Sequence, residues 1–91
     1  MHYLNILIAQ HSMAYVRFIA AIDADWTSAE HDAAMMAEDI AAIALLAHPC
    51  ASLEEVRTKA AYIAKAPSLG TDMQPHHLAA LLPALAMEVR P

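Results

Sequence analysis

"AHPCASLEEVRTKAAYI", residues 47–63, divides the chain into its long and short helices. Pro49 disfavours the α conformation at His48 and brings no amide to a helical ladder, so a helix arriving at Ala47 has to stop there. Three residues on, Ser52-Leu53-Glu54-Glu55 has the spacing of a capping box, with a serine hydroxyl for the N3 amide and a glutamate to reach back. The stretch is therefore a stop and restart of helix. Leu53, Val56, Ala60 and Ile63 give the restarted helix, residues 53–66, an apolar stripe, and Glu55 stands four residues before Lys59 for a surface pair.

Upstream lies a helix over about 28–47. Thr27-Ser28-Ala29-Glu30 has a second capping-box spacing, and Glu30 and Asp32 suit the positive end of the helix dipole. Ala33, Met36, Ile40, Ile43 and Ala47 are spaced 3-4-3-4 in a seam, while Ala34, Ala37, Ala41, Ala44 and Leu45 form a second apolar side. A first helix over about 3–23 has the same double character. Leu4, Ile8, His11, Tyr15, Phe18 and Ile22 make its seam, with His11 read as a buried, hydrogen-bonded core histidine. Ile6, Ala9, Met13, Val16 and Ala20 fall on the opposite side at 100° per residue. Asp23 and Asp25 sit poorly at the end of a helix, so one long bent helix through Trp26 is the alternative to two.

Downstream, Pro67 and Gly70 end the third helix. A fourth helix spans about 75–88, with Pro75 in its first turn and Leu78, Leu81, Leu82 and Leu85 as its apolar set. Pro83 inside that pattern should kink or shorten it. With one glycine in 91 residues and no alternating apolar run, the class is all-α. The architecture expected is a single small helical bundle over 1–91: a long antiparallel hairpin and two short C-terminal helices.

Composition narrows the function. The chain is 59% hydrophobic, but 22 of its residues are alanine, which favours helix while burying little area. No apolar run reaches the roughly 18 residues of a membrane span. The start lacks the basic residues of a signal peptide, and a lone cysteine suits a reducing cytosol, so the expected location is cytoplasmic. A net charge of −5 with 5 Lys and Arg argues against nucleic acid and anionic membrane surfaces. The seams of the two long helices are expected to face the core. Their second sides then offer a partner surface, most simply to another copy, with Ile6, Met13, Val16, Met35 and Leu45 at the interface.

Chemistry has fewer handles. Cys50 precedes a helix start and His48 is two residues away, yet neighbours across a proline turn are not thereby in nucleophile–base geometry. Six histidines invite a metal, but no Glu-x-x-His, His-x-x-x-His or Cys-x-x-Cys spacing occurs. His76 and His77, adjacent on a helix, point about 100° apart, which argues against one ion taking both. The side chains a metal would draw on are His31, His48, Cys50, His76 and His77. No catalytic residue and no cofactor are expected. The chain reads as a non-enzymatic interaction or adaptor protein acting as a homodimer. The alternative is a module binding a metal or small ligand through His, Cys and Met side chains between helices or at the dimer interface.

"SLGTDMQ", residues 68–74, echoes the acyl-carrier "LGxDSL" segment, but Met73 stands where the modified serine belongs, so that chemistry is absent. "LLAHPCASLEEVRTKAAYI" resembles a segment of small helical bacterial proteins without an assigned activity. "HSMAYVRFIAAID" and "QPHHLAALLPALA" resemble their first helix and leucine-rich tail. The resemblance implies a bacterial, all-helical, soluble protein and carries over no functional residue.

Overall fold

Local stop signals cut the chain into helices, and buried polar contacts then fix how they meet. A computed structural model describes residues 2–25 and 27–86, with the backbone alone for His2, Leu85 and Ala86. Among these residues there are five helices and no strand: α1 (His2–Asp25), α2 (Ala29–Ala47), α3 (Leu53–Lys65), α4 (Pro67–Gly70) and α5 (Pro75–Ala86). The all-α class holds. Helix four was expected to reach 88, and its last two positions and the Leu85 side chain lie outside the described residues, as does Trp26.

The first turn of the chain separates α1 and α2 with extended backbone at Ser28 (φ −79°, ψ 161°). Asp25 turns its carboxylate forward to accept from the Thr27 amide and hydroxyl at 3.0 and 2.7 Å. Those two bonds, the hydroxyl first, hold the Asp25 carboxyl below its ordinary value. With Thr27 so engaged, the cap of α2 is Ser28 and not the expected Thr27. The Ser28 hydroxyl accepts from the His31 amide at 3.1 Å.

α1 and α2 run antiparallel. The rings of Tyr3 and His48 meet at one end of the hairpin, His11 meets Glu38 in the middle, and Phe18 meets His31 towards the turn. α1 turns its expected seam inward, with Leu4 and His11 buried and Ile6, Met13 and Val16 exposed behind them. α2 does the opposite of what its spacing suggested. Its buried stripe is Glu38, Ala42, Leu45 and Leu46, so Leu45 belongs to the core and cannot serve the interface assigned to it. The 3-4-3-4 seam faces out, with Met36 64% and Ile40 65% exposed. The inward stripe wins because it carries two adjacent leucines and sets Glu38 opposite His11; each fully buried leucine is worth about 1.5–3 kcal/mol.

The core gathers at the end where α1 begins and α2 ends. Leu4, Leu7, Leu45, Leu46, Leu69 and Leu81 meet there, with Ile8, Tyr62 and Met73 against them. α3 starts as read: Ser52 accepts from the Glu55 amide at 3.2 Å, and the Glu55 carboxylate reaches back to the Ala51 amide. Glu55 and Lys59 are not a surface pair, for both are buried. The Lys59 ammonium donates to the carbonyls of Leu46 (3.1 Å) and His48. Pro49 has no amide to offer the end of α2, and the lysine supplies donors there instead.

Pro67 and Gly70 do end α3 by residue 65, but the segment between them is the short helix α4, with Pro67 in its first turn. Gly70 lets α4 press on the last turn of α3: a Cβ there would lie 2.8 Å from the Ile63 carbonyl oxygen. α5 starts at Pro75 as expected and continues through Pro83 to Ala86, so that proline does not stop it. No helix among the described residues is long and apolar enough to cross a membrane.

Candidate functional site

Two carboxylates next to each other on α2 organise the polar interior. Glu38 points into the bundle, where its Oε2 accepts from His11 Nε2 at 2.7 Å. The Tyr62 hydroxyl lies 2.6 Å from the other ring nitrogen, Nδ1. A carboxylate only accepts, so the ring proton sits on Nε2, and in the neutral ring the tyrosine donates to Nδ1. Ser68 completes the group, with its hydroxyl 3.5 Å from His11 Nε2. The bond from His11 holds the Glu38 carboxyl below its usual range against the opposing effect of burial, and Ser68 adds to it. Burial, followed by the Glu38 charge, pushes the Tyr62 phenol up, so it remains protonated. One polar group thus ties α1, α2, α3 and α4 together. His11 is the buried core histidine that its seam position implied.

Asp39 points the other way, towards the start of α5. Its Oδ1 accepts from His76 Nε2 at 2.9 Å and from His77 Nε2 at 2.8 Å. These bonds, His76 first, hold the Asp39 carboxyl low. His77 is buried, whereas the His76 side chain is 53% exposed. The backbone explains why the rings converge although they leave the helix at different angles. Gln74 occupies the N-cap of α5, and the His77 ring folds back so that Nδ1 accepts from the Gln74 amide at 3.0 Å. That is the reach-back of a capping box, made by histidine at N3 in place of glutamate. It turns Nε2 towards Asp39, and the rings of His76 and His77 lie 4.2 Å apart. The two Nε2 atoms thus meet at one carboxylate although the side chains leave the helix about 100° apart. Asp39, His76 and His77 each offer a ligand atom, all within 4.8 Å of one another. No other such group of three occurs among the described residues.

Asp39 and His77 also border a cleft of about 610 Å³. Its walls are apolar, built from Phe18, Ile22, Met35 and Met36. Met35, expected at a partner interface, lines this cleft. A smaller pocket of about 280 Å³ opens beside Tyr62, between Ser12, Tyr15 and Lys65.

The remaining sequence candidates are dispersed. His31 lies 3.3 Å from Asp32 at the start of α2, and its ring tilts against Phe18. His48 ends α2 with its ring edge-on to Tyr3. Cys50 is fully buried. No local spacing marks Asp39, Glu38 or Tyr62, because their partners lie 27 to 51 residues away. No protein-family model, curated protein or solved structure matches the chain.

Proposed function

We propose that the protein is a non-enzymatic helical interaction module of the cytoplasm that works as a homodimer, pairing through the outer seam of α2. The observation that carries this reading is the outward position of Ala33, Met36, Ile40 and Ala47, with the half-buried Ile43 completing their seam. Their 3-4-3-4 spacing is the a/d pattern by which one helix receives another. Met36 and Ile40 are about two-thirds exposed, an unfavourable place for large aliphatic side chains unless something covers them. A two-fold partner is the simplest cover, because the same surface then serves both copies. Antiparallel pairing about that axis opposes the two helix dipoles and keeps Glu30 and Asp32 of each copy away from their counterparts. Ile6, Met13 and Val16 on the outer side of α1 extend the apolar surface available to a further protein.

The test is the mass in solution. Light scattering should give a species near twice 9.8 kDa, and Met36→Glu with Ile40→Glu should return it to one chain while helicity is kept. A single chain at high concentration in the unaltered protein overturns the reading.

A further inference from the structure

We infer that Asp39, His76 and His77 form a binding site for a first-row divalent transition ion of the Zn²⁺ type, held between α2 and α5 at the edge of the large cleft. This goes beyond the pairing proposed above and does not depend on it, since none of its three ligands belongs to the seam, although the adjoining cleft shares Met36 with it. Two imidazoles and one carboxylate suit Zn²⁺, Fe²⁺, Co²⁺ or Ni²⁺ and not Mg²⁺ or Ca²⁺, which want oxygen alone. Two of the three separations are close to what such an ion needs, and all three ligand atoms lie within 4.8 Å of one another. Metal–ligand bonds of 2.0–2.2 Å at tetrahedral angles set ligand atoms about 3.3 Å apart. Asp39 Oδ1 now stands 2.9 and 2.8 Å from the two Nε2 atoms, so a shift of about half an ångström brings those two gaps to that spacing. His76 and Asp39 are open to solvent, which gives an entry path. Three protein ligands leave a position for water or for a group lodged in the apolar cleft.

The same geometry sets a cost that makes the site labile. His77 Nδ1 accepts from the Gln74 amide, so its ring proton is on Nε2, where the ion must bind. Loading the site moves that proton to Nδ1 and gives up the Gln74 bond. Gln74 is exposed, so water can take over its amide. The positive end of the α5 dipole also opposes a cation, while the Asp39 charge favours it. The ion therefore competes with a cap: α5 starts on Gln74 and His77 when the site is free, and on the metal when it is loaded.

Calorimetric titration of the full chain with Zn²⁺, and with Co²⁺ followed by visible absorption, tests this. One ion per chain is expected. Asp39→Asn retains a hydrogen-bond acceptor and His76 is mostly exposed, so Asp39→Asn and His76→Ala should both fold, yet each should lower the affinity by more than the roughly 100-fold that an outer-shell partner costs. His31→Ala should leave binding as it was. Nitrogen NMR of His77 should show the ring proton moving from Nε2 to Nδ1 on loading. Three results overturn the inference: no binding, binding unaltered by both variants, or loading with the His77 proton still on Nε2.

Discussion

Glu38 and Asp39 are neighbours with the same functional group, and each holds histidine. The 100° between them on α2 gives them different roles. Glu38 meets His11 in the interior, where both are nearly free of solvent. Asp39 meets one buried and one exposed histidine at the rim. The inner pair sits at low dielectric with every polar atom engaged, so it fixes the packing of four helices and is costly to disturb. The outer group sits beside water, where the same contacts are weak and exchangeable. What a histidine–carboxylate pair does here follows from burial more than from residue type.

The largest effect that could break this contrast comes from cutting the inner pair on one side. His11→Ala or Glu38→Ala should cost about 3–5 kcal/mol, because each leaves a buried partner uncompensated. On a chain of this size that is a drop of more than about 12 °C in melting temperature. The double variant His11→Leu, Glu38→Met should be more stable than either single one, since no buried charge is stranded. If the single variants cost less than about 1 kcal/mol by urea unfolding, the interior pair is no firmer than a surface one. A smaller effect belongs to the rim: Asp39→Asn should lower stability by no more than about 1 kcal/mol. A loss equal to that of Glu38→Ala would erase the distinction.

A third carboxylate sharpens the comparison through pH. Glu55 accepts from the Ala51 amide at the start of α3, and that bond first of all holds its carboxyl below the ordinary 4.5. A depressed folded-state value means a stabilisation that is fully present above pH 4.5 and fades as the pH falls through the folded-state value. Glu55→Gln keeps an acceptor but cannot titrate. It should melt below the unaltered protein at neutral pH and converge with it in acid. Parallel melting curves across the whole range would remove Glu55 from the acid response.

What the sequence made legible was whatever depended on near neighbours. The stop at Pro49, the restart at Ser52, the proline at the head of α5 and the inward His11 all follow from residues within a turn or two of each other. The choice of face on α2 does not. Both sides are apolar and alanine-rich, so periodicity ranks them nearly equal, and the decision falls to Glu38 finding His11 and to Leu45 and Leu46 finding the core. The Asp39 group is invisible for the same reason. It needs α2 beside α5 and a histidine folded back on Gln74, and no spacing rule anticipates a cap made by imidazole. Lys59 shows the limit from another direction: an i,i+4 partner on paper became the cap of a different helix once Pro49 had left carbonyls without donors.

Cys50 sits at that same corner, fully buried and two residues beyond the His48 carbonyl that Lys59 holds. The thiol is therefore a reporter placed by the fold itself. A small reagent reaches it only in the moments when the α2–α3 corner swings open, so its rate of labelling counts those openings, and the ratio to the rate of a free thiol gives their free energy. The chain carries one cysteine, and the signal comes from a single place. The stretch that divides the molecule into helices also records how often that division loosens.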